Sequence, residues 1–204
     1  MPRFKLGLPL LSLALLATPA YAEQLHCDGP YAADSSAARL IETFGAANVV
    51  TGEVPGPEGS TVIATTVFPD DPERKMEFGW WDEENYERLA YFTVPTADTA
   101  PNGLKAGMSI DEVQELNGAP FELSGFWWDY GGYASFTGGK LGDVEGGCTV
   151  SVQFQPRVED LEGVDVDAVA GDRQVESTEP LLRTVDARID SITVGYRDYA
   201  EMED

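Results

Sequence analysis

Ser109-Ile110-Asp111-Glu112-Val113-Gln114-Glu115-Leu116-Asn117-Gly118-Ala119-Pro120 reads as a short helix with both ends marked. Ser109 and Glu112, three residues apart, form a capping box in which each side chain satisfies an orphan backbone N–H of the first turn. Gly118 and Pro120 supply the stop. Moving the chain by 73 residues places Ser36-Ala37-Ala38-Arg39-Leu40 on Ser109–Val113, Gly45-Ala46 on Gly118-Ala119 and Gly52 on Gly125, without a gap. In the earlier copy Ala37, Leu40, Ile41 and Phe44 recur at helical spacing and give one apolar face. Self-similarity at a fixed offset is the mark of a repeated unit.

Outward from each helix the apolar period changes to two, as in half-buried strands. The first half offers Thr61–Phe68, Met76–Trp81 and Leu89–Val94, separated by Pro69-Asp70-Asp71-Pro72 and by Asp82–Asn85. The second offers Glu122–Trp128, Tyr133–Thr137, Thr149–Gln155 and Ala187–Tyr196, with glycine pairs at 131–132, 138–139 and 146–147 as turns. The expected fold class is α+β, two tandem helix-plus-antiparallel-sheet repeats forming one compact unit. Repeat 1 covers 23–94, a Pro/Asn/Gly-containing linker covers 95–103, and repeat 2 covers 104–204. Residues 158–180 carry eight acids and one arginine and read as an exposed acidic loop of repeat 2. Asp165, Asp167 and Asp172 offer oxygen ligands for calcium, but their spacing matches no calcium loop, which favours a solvated loop and no metal.

The N-terminus predicts export. Arg3 and Lys5 precede the apolar stretch Leu6–Leu16, and Ala20 and Ala22 give the A-x-A pattern of a cleaved signal. The stretch is shorter than the ~20 residues of a membrane span and contains Pro9. Nothing later is apolar enough to span, so residues 1–22 are expected to be removed and the product to be periplasmic or secreted. Losing them takes the formal charge from −23 to −25, because no acid goes with the two basic residues. Such a charge argues against nucleic acid and anionic lipid surfaces, which need a basic footprint. It suits solubility and also a cationic partner. Cys27 and Cys148 are expected to pair in an oxidising compartment, closing a loop of 121 residues, with two buried thiols as the alternative.

The string Gly107-Met108-Ser109-Ile110-Asp111-Glu112-Val113 followed by Gly118-Ala119-Pro120 resembles the helix-then-turn signature of the small outer-membrane-assembly lipoprotein superfamily. With its tandem copy the chain is similar to the two-repeat relatives of β-lactamase-inhibitor-protein-like fold. The resemblance covers residues 34–156 and the last strand. It implies helices packed on antiparallel sheets, a concave binding face, and work through assembly contacts or enzyme inhibition. The chain departs from the lipoproteins in lacking a lipobox before Cys27, and its first copy has Gly45-Ala46-Ala47 where the second has Gly118-Ala119-Pro120.

Residues that carry chemistry are sparse. His26 is the one histidine, and no zinc spacing, nucleophile elbow, Ser-x-x-Lys, P-loop or dinucleotide fingerprint occurs, so neither an enzyme nor a cofactor is expected. Acid–aromatic clusters remain: Asp82, Glu83 and Glu84 adjoin Trp80 and Trp81, and Asp129 follows Trp127 and Trp128. Two acids suffice for a glycosidase, so a carbohydrate-binding module or weak glycosidase is the alternative function. On a strand, neighbours face opposite sides. One tryptophan of each pair would then face outward and, with Tyr91, Tyr130 and Tyr133, form an aromatic patch for a protein partner. The competing expectation buries both. The binding residues expected on this reading are Trp80, Trp81, Tyr91, Trp127, Trp128, Tyr130 and Tyr133, in a non-catalytic envelope protein. A structural envelope protein without a ligand is the third reading.

Overall fold

A computed structural model describes residues 22–198 apart from 57, 58, 143 and 159. The expected signal segment lies outside the described residues save for Ala22. The helices are α1 (Ala37–Phe44), α2 (Ile110–Asn117) and the single turn α3 (Leu181–Thr184). The strands are β1 (Val49–Pro55), β2 (Thr61–Val67), β3 (Met76–Asp82), β4 (Glu87–Thr93), β5 (Glu122–Ser124), β6 (Tyr133–Ser135), β7 (Thr149–Gln155), β8 (Gln174–Glu176) and β9 (Arg188–Gly195). Seven of them make one antiparallel sheet in the order β1-β2-β3-β4-β9-β7-β6, and β5 pairs with β8 in a separate ribbon.

This corrects the expected fold class. The molecule is β-rich: among the described residues the α-helices have eight, eight and four residues, and a single sheet runs through both halves. Two repeats with a sheet each are not what forms, because β9 pairs with β4 on one side and β7 on the other. The second half also departs from the strand plan of the first, since β5 leaves the main sheet to pair with β8.

Local signals explain the helices. Ser36 caps α1 by accepting from the Arg39 N–H, and α2 carries the capping box between Ser109 and Glu112 and ends at Gly118 in the left-handed region. Each cap is worth about 1 kcal/mol, too little to hold eight residues helical in water. Packing does the rest. Ala37 and Leu40 of α1 and Ile110 and Val113 of α2 are buried in one core with Phe78, Leu89, Phe92, Val152, Phe154, Ile192 and Val194. Val152 and Phe154 alternate along β7, and Ile192 and Val194 along β9. In β4 Leu89 and Phe92 are three apart, and the register shift opposite Gly79 and Trp80 takes up the extra residue, so all share the face of the sheet that the helices cover. Trp80 joins them, with its Nε1–H donating to Thr65 Oγ1 at 3.0 Å.

Segments expected to be loose are tied in. In the connection 95–103, Thr99 and Ala100 are buried, and the Thr99 carbonyl accepts from the Leu25 N–H at 2.9 Å. Within 158–180, β8, Val169, Val175 and Ser177 pack inward, so this acidic stretch is not an exposed excursion throughout. Asp160, Glu162, Asp165, Asp167, Asp172 and Glu176 are exposed, while Val169 and Val175 between them take the core. Cys27 and Cys148 are joined, with Cα atoms 6.3 Å apart, and both are buried. Gly146 lies so close to this bond that a Cβ there would meet the Cys27 carbonyl oxygen at 2.7 Å. Among the described residues no helix is long and apolar enough to cross a membrane.

Candidate functional site

The face of the sheet away from the helices is chemically different. The registers run Ser135, Ser151, Thr193 and Thr93 straight across β6, β7, β9 and β4, a row of small hydroxyl side chains. The neighbouring row passes from Thr149 through Gly195 and Tyr91 to Gly79. Tyr91 is the one large side chain there, and its ring lies over Gly79: a Cβ on Gly79 would sit 2.0 Å from it. The phenol O–H donates to Glu77 Oε1 at 2.9 Å, which fixes the ring against the sheet. Burial, and next the Glu77 carboxylate, raise the Tyr91 pKa well above the usual tyrosine value, so the phenol stays protonated at any physiological pH.

Twist gives this face its depth. Seven strands, each rotated against the next, bring diagonally opposite corners of a sheet toward one another. The β1–β2 corner and the approach to β6 do so here. Pro55, Gly56 and Val62 from one corner, Asp129, Tyr130 and Tyr133 from the other, and Tyr91 in the floor line a cleft of about 530 Å3. Ala64 and Thr66, on the same face of β2, are buried.

Gly79→Ala tests the floor. The added methyl drives Tyr91 off the sheet and breaks its hydrogen bond to Glu77. The expected cost is about 1–2 kcal/mol in urea denaturation, with displaced Tyr91 ring signals in NMR spectra. Unchanged stability with unchanged Tyr91 signals would rule out the stacked arrangement.

The sequence-predicted site residues separate into three groups. Tyr91, Tyr130 and Tyr133 come together in the cleft. Trp81 and Trp127 are exposed, at 43% and 53%, but do not line it. Trp80 and Trp128 leave the candidate surface: Trp80 is in the core, and Trp128 is half-buried, donating its Nε1–H to the Gly125 carbonyl at 2.8 Å and packing edge-on to Tyr130. Alternation holds for Trp80-Trp81, which are in β3. It fails for Trp127-Trp128, because β5 ends at Ser124 and Trp127 adopts φ of 61°, outside any strand.

Pro55, Gly56 and Val62 were missed as lining residues, since β1 was not expected and pairing across a sheet's corners leaves no local signal. Asp129 stood out in the sequence only as an acid beside tryptophans, and among the described residues it is the carboxylate that lines the cleft. Its side chain has no hydrogen-bond or ion-pair partner among the described residues. Asp82, by contrast, accepts from the backbone and side-chain N–H groups of Asn85 and so holds the β3–β4 turn; those bonds keep its carboxyl below the usual range. Among the described residues no group of three His, Cys, Asp or Glu side chains is placed to hold a metal ion. Comparison of the chain with protein-family models, with curated proteins and with solved structures gave no match, so the cleft is interpreted on its own chemistry.

Proposed function

We propose that this is an exported, non-catalytic interaction protein that holds a protein partner on the open face of its sheet. The observation that carries the proposal is the cleft itself, in which Tyr91 of β4, Tyr133 of β6 and Tyr130 just before β6 meet on a face that no helix among the described residues covers. Tyrosine supplies large amphipathic contact area at low conformational cost and is enriched where interfaces bind most strongly. Trp81 extends aromatic surface along the same face of β3. The disulfide is consistent with an oxidising compartment, and the resemblance of the Ser109–Pro120 string to envelope assembly proteins supports the same class.

The test is capture from the source organism's envelope and medium on immobilised 23–204, beside a Tyr130→Ala/Tyr133→Ala variant whose circular dichroism matches. One protein retained by the first and reduced about tenfold or more by the second is the expected outcome, the size of two lost interface anchors. A folded wild type that retains nothing specific would defeat the proposal. Saturable quenching of the tyrosine and tryptophan emission by soluble glycans would instead place carbohydrate binding first.

A further inference from the structure

We infer that the tyrosine cleft receives a cation, the guanidinium of an arginine side chain presented by the partner. The inference rests on the interaction reading above and names the chemistry it would use. Among the described residues three phenol rings and one carboxylate line the cleft, and no lysine or arginine does. The face of an aromatic ring carries negative electrostatic potential and attracts a cation. The Tyr91 hydroxyl donates to Glu77, which leaves its ring more electron-rich. Asp129, without a partner of its own, offers two acceptor oxygens at the same wall.

The wider field has the same sign, since 36 acids against 13 basic residues draw cations toward the molecule. An anionic ligand would meet repulsion with no compensating donor from a basic side chain. A purely aliphatic ligand would cover the Asp129 carboxylate with hydrocarbon and leave it desolvated and unpaired. Arginine fits better than lysine because its planar group stacks on tyrosine faces while its N–H fork meets a carboxylate in bidentate fashion.

The probe is N-acetyl-arginine methylamide, titrated into the mature chain 23–204 and followed by the ring signals of Tyr91, Tyr130 and Tyr133. N-acetyl-norleucine methylamide serves as the uncharged control and maltotriose as a neutral sugar. The arginine probe is expected to shift all three rings saturably, while the norleucine probe leaves them in place. Asp129→Asn, an isosteric change at an exposed position, should weaken the arginine probe about tenfold. Added salt should weaken it further. Equal binding of the norleucine probe, an unaltered affinity in Asp129→Asn, or shifts with maltotriose alone would each overturn the inference.

Its failure is separable from that of the interaction reading. A partner captured through Tyr130 and Tyr133 while the arginine probe leaves the rings unmoved removes the cation site and keeps the docking face. Arginine binding with no partner captured keeps the cation site and removes the protein-partner reading.

Discussion

Replacing Cys27 and Cys148 by alanine is expected to lower the unfolding free energy by about 4–5 kcal/mol, the loop-closure entropy that a 121-residue loop restores to the denatured chain. For a chain of this size that corresponds to a fall in Tm of roughly 10–20 °C. The native contacts change little, because both residues are buried at the edge of the core and alanine fills most of the same space. The bond's leverage is topological. It ties the segment that the Leu25 N–H anchors to Thr99 directly to the entry of β7, so one covalent link spans most of the first half and the start of the second. Urea denaturation of wild type and the double alanine variant measures the difference. A change below about 1 kcal/mol would mean that the denatured chain is already compact around that loop.

Phe92→Ala is expected to cost about 3–5 kcal/mol and to do so in a single transition. Phe92 is fully buried, and its register partners are Phe78 on β3 and Val194 on β9. Its ring packs 5.8 Å from Phe78 and 5.0 Å from Tyr31. The seam between β4 and β9 is only three residue pairs long, so this ring sits where the two halves of the sheet are joined. In one sheet with one core, weakening the seam destabilises everything. Far-UV circular dichroism and tryptophan fluorescence should therefore report the same urea midpoint, moved by the same amount. Two midpoints, with the Trp127-Trp128 half unmoved, would show that the halves fold as separate units after all.

What the sequence could and could not announce follows from the range of each interaction. Helix ends are written within four residues, and both Ser36 and the Ser109–Glu112 box lie where the caps form. β2, β3, β4, β7 and β9 lie within about two residues of their expected ends, because alternation of apolar and polar side chains is also local. β1 escaped notice because as an edge strand it buries little: none of its residues is fully buried, so its alternation is weak. β8 was hidden by the acids around Val175. The partnership of strands is a different kind of information. Nothing near Arg188–Gly195 says that its neighbours are β4 and β7, yet that choice turns two expected sheets into one. The site suffered in the same way. Tyr91 and Tyr133 are visible as aromatics, but their meeting depends on the twist of strands that lie between them.

The strand order also sets a timetable. β9 is in the interior of the sheet and comes after every other described strand along the chain. A chain emerging amino end first therefore shows β1–β4 and β6–β7 to its surroundings before the strand that unites them exists. Until Arg188–Gly195 arrives, β4 and β7 each present an open hydrogen-bonding edge, the kind that recruits strands from neighbouring molecules. Cys27 and Cys148 have both emerged by then, and an oxidant acting early could tether the two half-sheets within reach of each other. The interval between residue 155 and residue 188 is thus the stretch of synthesis over which both edges stand open together.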